Sequence, residues 1–160
     1  MKINRYLFKN KDYSFEDDID FSNQKTDLNH IRKISNTHVK VSGFDYDDYL
    51  LLNITVDSDV IGVCSYSLED VPLHLHFSTE LAFTYDEEDE DNYVIKDAIF
   101  DLDPYIFDLI ISEVPYTLVK KGAKLPKSGN GYRVMSEDEY NKENENKKDS
   151  RWSKLDDVEL

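Results

Sequence analysis

Leu50, Leu52, Ile54 and Val56 alternate with Leu51, Asn53 and Thr55, the period-two pattern of a strand with one buried face. Val71, Leu73, Leu75 and Phe77 repeat it, and the same phase runs on through Thr79, Leu81, Phe83 and Tyr85. Upstream, Val39, Val41 and, after Gly43, Phe44 alternate with His38, Lys40 and Ser42. Residues 2–9 read as a first strand, and Phe15, Ile19 and Phe21 as an edge strand among acids. Asp47 and Asp48 mark one turn, and Asp57-Ser58-Asp59 a hairpin turn into residues 60–65. Residues 93–100 give a further strand, so the sheet is expected to be an antiparallel meander.

Helical spacing appears in three places. Leu28, Ile31 and Ile34 predict a short helix over 27–34. Ile106, Phe107, Leu109, Ile110 and Val114 predict a longer one, with Asp103 as its cap, Pro104 in its first turn and Pro115 as its stop. Ser136 and Glu139 have the spacing of a capping box, followed by the polar run NKENENKKDS, which buries too little apolar surface to order itself. Trp152, Leu155 and Val158 return to helical spacing. The expected fold is α+β: a mainly antiparallel, twisted sheet (barrel-like closure is one form that twist allows) with one packed helix and a flexible acidic and polar C-terminal tail. Residues 1–135 form the domain and 136–160 the tail. Ile106, Phe107, Leu109 and Ile110 should pack on Leu50, Leu52, Ile54, Leu73, Leu75 and Phe83.

Charge changes this picture. The 160 residues carry a net charge of −15, which argues against general adhesion to nucleic acid or anionic membranes and favours a basic protein partner. Against that background, residues 120–133 hold five basic side chains, Lys120, Lys121, Lys124, Lys127 and Arg133, and no acidic one. Gly122, Gly129 and Gly131 predict an extended, mobile arm, and Tyr116 and Tyr132 flank it as stacking groups for RNA. If about 4 phosphates are neutralised, log K should fall with log salt at a slope near −3. The alternative is a solvated loop whose lysines offset nearby acids.

Other candidate chemistry is weaker. A single cysteine, Cys64, excludes an internal disulfide and suits a reducing cytoplasm. Its neighbours Glu69 and Asp70 should raise its pKa, which makes it a structural thiol. His74 and His76 share a strand face and with Cys64 offer three metal donors, but solvated histidines are expected. The run DEEDED at 86–91 lacks the spacing and glycine of a calcium loop. No GxSxG, P-loop, HExxH or GxGxxG occurs. No enzyme activity, cofactor or metal is expected. The N-terminus has no apolar targeting core, and no stretch is apolar enough to span a bilayer, so a soluble cytoplasmic protein is expected.

Four segments in order resemble one family: VIGVCSYSLEDVPLHL, IFDLDPYIFDLIISEVP, YTLVKKGAKLPKSGNGYRVMSEDEY and DSRWSKLDDV. They resemble the YceD family of large ribosomal RNA subunit accumulation proteins, in the form seen in low-GC Gram-positive members and their wall-less relatives, over roughly residues 36–158. Many members carry two CxxC-like pairs. Here the first keeps Cys64 beside Ser67 and the second region has only Lys120, Lys121 and Lys124. One thiolate cannot build a four-ligand zinc site. The resemblance implies a non-enzymatic cytoplasmic factor for large-subunit assembly and accumulation of its rRNA. Its partner would be rRNA or a pre-large-subunit particle, and the basic arm read from the charge pattern supplies the expected contacts, Lys120, Lys121, Lys124, Lys127, Tyr132 and Arg133. A basic ribosomal protein received by the acidic body, without RNA contact, is the alternative.

Overall fold

The computed structural model describes residues 1–9, 12–26, 28–87 and 92–145. It divides into two compact units, Met1–Lys120 and Lys121–Leu160. In the first, strands β2 (Tyr13–Ile19), β3 (Ile31–Asp45), β4 (Tyr49–Val63), β5 (Asp70–Thr84) and β6 (Tyr93–Val94) form one sheet in that order. β1 (Lys2–Asn4) and β7 (Ile99–Asp101) pair as a separate two-stranded sheet, and helix α1 spans Asp103–Glu113. The fold is α+β as expected, but among the described residues the sheet is open and does not close as a barrel.

The inner face of β4 is the centre of the core. Leu50, Leu52, Ile54 and Val56 are fully buried, as are Val39, Val41, Phe83 and the helix residues Ile106 and Ile110. Such alternation places every second side chain against one hydrophobic layer. Leu73, Leu75 and Leu109, expected in that layer, are half-buried at its margin. For β5 the reason is its second edge, which pairs with β6 only at Phe83 and Thr84 among the described residues. α1 ends where Val114 turns extended before Pro115.

Several sequence expectations are overturned. Residues 28–34 are not a helix, and position 27 of that expected helix lies outside the described residues: Ile31 and Ile34 open β3. Two register shifts, at Ile31/Lys33 and Ser35/Thr37, insert extra residues into the ladder. Ile31, Ile34 and Thr37 therefore all face inward at spacings of three, which mimics a helical stripe. Asp57-Ser58-Asp59 is not a turn either, because β4 runs unbroken through it. Ser58 is buried and its hydroxyl is 2.8 Å from that of Thr37, so the polar group is satisfied across the strands. Phe44 faces outward, and Asp45 takes the inner position, because the pairing with β4 continues unshifted past Gly43. A Cβ at Gly43 would lie 2.3 Å from the Leu51 carbonyl oxygen, so no larger residue fits there.

Residues 2–9 form a three-residue strand and then a 3-10 turn at Arg5–Phe8, whose start is capped by the Asn4 side chain. Residues 93–100 split into β6, parallel to β5, and the start of β7, antiparallel to β1, so the meander is not wholly antiparallel. The helix cap differs too. Asp103 lies within α1, the N-cap position is Leu102 with no side-chain cap bond, and the Asp103 N–H donates to the Asp101 carboxylate at 3.1 Å.

The second unit contains α2 (Glu137–Glu145). Its capping box is present in both directions: Glu139 N–H donates to Ser136 Oγ at 3.2 Å, and Ser136 N–H to the Glu139 carboxylate at 3.1 Å. α2 takes in residues 141–145 of the run NKENENKKDS, expected not to order itself; residues 146–160, with Trp152, Leu155 and Val158, lie outside the described residues, as do residues 88–91 of the acidic run.

Candidate functional site

The segment after α1 is fastened to the end of the β4–β5 hairpin. Ser65 N–H donates to the Leu118 carbonyl at 2.7 Å, and Leu118 N–H returns to Ser65 Oγ at 3.3 Å. Leu118 is buried. Lys120 N–H then reaches Cys64 Sγ at 3.4 Å, while its ammonium pairs with Glu69 at 3.2 Å. Lys120 therefore anchors the root of the basic segment. Tyr116 is 83% exposed, with its ring 5.2 Å from that of His30.

The buried Cys64 thiol departs from the sequence expectation. Its pKa is pulled down to about 7, chiefly by the Lys120 N–H and then by Ser67. Glu69, expected to push it up, is itself paired with Lys120 and the Ser67 hydroxyl. A thiolate accepting several N–H groups is stabilised without a metal.

In the second unit, Lys121, Lys124 and Lys127 are exposed and form no ion pair with a described residue. The stretch is not extended throughout. Gly129 and Tyr132 bond to each other at 3.2 and 3.4 Å in a tight turn, with Gly131 at φ 87° where a side chain would be strained. Tyr132 is 63% exposed. Arg133 is drawn to Glu143 of α2 at 2.6 Å. Of the five cations, two are tied at the ends and three stand open between them.

The outer face of the sheet holds a pattern that sequence reading missed. Asp18, His38, Asp57 and His76 lie opposite one another across β2, β3, β4 and β5. His38 Nδ1 is 2.7 Å from Asp18, His76 Nδ1 is 3.3 Å from Asp57, and His74 Nδ1 is 3.0 Å from Asp59. Glu16 and Lys40 continue the charge alternation at 3.3 Å. Each of these three histidines thus has an acid partner, and Cys64 lies five residues along the strand from Asp59, roughly 16 Å away. His74, His76 and Cys64 are not brought together, and among the described residues no group of three or more such side chains is arranged to hold a metal ion.

Asp18 raises the pKa of His38, and Asp59 raises that of His74, above the ordinary 6.5. A raised folded pKa contributes stability that is full below the unfolded pKa and is lost as pH rises through the folded one. Proton NMR titration should give His38 and His74 midpoints above 6.5, and Asp18→Asn should lower that of His38. A His38 midpoint at or below 6.5 would contradict the ladder geometry.

Among the described residues no helix is long and apolar enough to cross a membrane. The family model described as "Large ribosomal RNA subunit accumulation protein YceD" matches residues 52–159. The chain is also 28% identical over 137 residues to "Uncharacterized protein YlbN" of Bacillus subtilis (strain 168), covering 79% of this chain and 78% of that one. No solved structure matches it. The family match takes in β4 from Leu52 onward, β5, α1, the basic segment and α2, and the chain therefore belongs to the YceD family.

Proposed function

We propose that this protein is a non-enzymatic cytoplasmic factor that supports accumulation of large-subunit ribosomal RNA during assembly of the large subunit. The family description supplies the RNA. The observation that supports direct contact is the trio Lys121, Lys124 and Lys127, exposed and without a described acid partner in a chain of net charge −15. Mobile point charges suit phosphate contacts that need no fixed geometry. Tyr132, exposed beside them, offers a stacking face. Lys120 and Arg133 hold the ends of the segment through Glu69 and Glu143, and the RNA contact falls mainly on the three lysines.

With three lysines instead of four or five, the slope of log K against log salt should be about −2 for single-stranded RNA. Filter binding of large-subunit rRNA fragments over a salt series measures it. A slope near zero at moderate salt would remove RNA contact from the proposal. A second reading, a basic protein received by the acidic body, is favoured by the excess of 34 acidic over 19 basic residues. This second reading has no RNA contact, so the salt slope separates it from the first.

A further inference from the structure

The turn between β3 and β4 presents aromatic rings and carboxylates together. Phe44 and Tyr46 meet at 4.9 Å and 59°, and Tyr46 and Tyr49 stack at 4.9 Å and 18°. Tyr46 and Tyr49 remain 49% and 42% exposed, although stacked tyrosines ordinarily hide one another. The turn is held firmly: Tyr46 N–H donates to the Tyr49 carbonyl at 2.9 Å, and Asp47 N–H to the Asp45 carboxylate at 3.0 Å. Asp47 adopts φ 69°. Hollows of about 430 and 620 Å³ lie nearby. Asp12 and Tyr46 line the first, and Asp47, Asp48, Tyr49 and Asp86 line the second.

This end of the sheet already engages cations in two ways. Lys9 Nζ is 2.9 Å from the Asp47 carboxylate, and the Arg5 guanidinium carbon is 3.9 Å from the centre of the Tyr85 ring. Guanidinium groups are weakly hydrated, stack on tyrosine and bind carboxylates in pairs. Phosphate, by contrast, would meet Asp12, Asp47 and Asp48 and be repelled.

We propose that the β3–β4 turn is a docking surface for an arginine-rich polypeptide segment, with guanidinium groups stacked on Tyr46 and Tyr49 and paired with Asp12, Asp47 and Asp48. This rests on the reading that a basic protein is a partner, and gives that partner a place on the first unit, independent of the lysines in the second. Rings supply selectivity for arginine, and carboxylates supply attraction and salt dependence.

Fluorescence anisotropy of a labelled arginine-glycine repeat peptide with the full chain tests it. The peptide should bind, and its citrulline counterpart should not. Tyr46→Ala with Tyr49→Ala should weaken binding at least tenfold, while Tyr46→Phe with Tyr49→Phe, which keeps both rings, should hold it within about threefold. Asp47→Asn with Asp48→Asn should flatten the salt dependence, and asparagine tolerates the positive φ at position 47. The proposal is overturned if the arginine peptide does not bind, or if the double alanine variant binds within twofold of the parent. Lys121, Lys124 and Lys127 changed to Glu should leave peptide binding intact, so failure of the RNA reading and failure of this one give different results.

Discussion

Changing Lys121, Lys124 and Lys127 together to Glu should abolish binding of large-subunit rRNA fragments while leaving the fold untouched. Each lysine lost from a phosphate contact lowers the salt slope by up to about one unit, so a slope near −2 should fall to zero. Affinity at low salt should drop by at least a factor of about 100, because three attractive charges become three repulsive ones. All three side chains are exposed, and surface changes of this kind usually move stability by no more than about 0.5 kcal/mol. Lys120 is left unchanged in this variant. Its ammonium balances Glu69 and its N–H serves Cys64, so a glutamate there would set two carboxylates together and confuse a local structural defect with lost RNA contact. Unchanged RNA affinity in the triple variant would move the function away from the basic segment and toward the acidic body.

Phe107→Ala is expected to cost about 3–5 kcal/mol. The ring is 7% exposed, lies 5.4 Å from Phe21 and belongs to the same core as Ile54 and Phe83. Removing it leaves a void that Ile106 and Ile110, on the same helix and already fully buried, cannot move to fill. For a chain of this length the melting temperature should fall by roughly 10 °C, with each kcal/mol worth about 2–4 °C. Phe21→Ala in the same background should cost less than it does alone, because its ring partner is already gone. A melting temperature unchanged within about one degree would show that α1 faces elsewhere.

What could be read from the chain follows the range of the forces involved. Leu50 to Val56, the helical stripe of Ile106, Phe107 and Ile110, the stop at Pro115 and the Ser136–Glu139 box depend on neighbours a few residues away, and are found as expected. Ile31 and Ile34 misled because two bulges gave a strand the spacing of a helix. Asp57-Ser58-Asp59 misled because its composition is that of a turn, whereas Thr37, 21 residues away, supplies the hydroxyl that lets Ser58 be buried. The Cys64 pKa was misjudged for the same reason: Lys120, 56 residues on, provides the N–H that lowers it. In the candidate site, the cationic run was visible as composition. Its division into two tied ends and three open lysines depends on Glu69 and Glu143, which no local pattern discloses. The histidine–aspartate row required the strand register, and the H-x-H and D-x-D pairs of β5 and β4 were the only signal for it.

The role in large-subunit rRNA accumulation is tested most directly by depleting the protein in its own organism and resolving the lysate on a sucrose gradient, with both rRNAs quantified across it. A selective fall in large subunits, with large-subunit rRNA reduced or unprocessed and small-subunit rRNA normal, is the predicted result. Unchanged subunit and rRNA ratios after full depletion would contradict it.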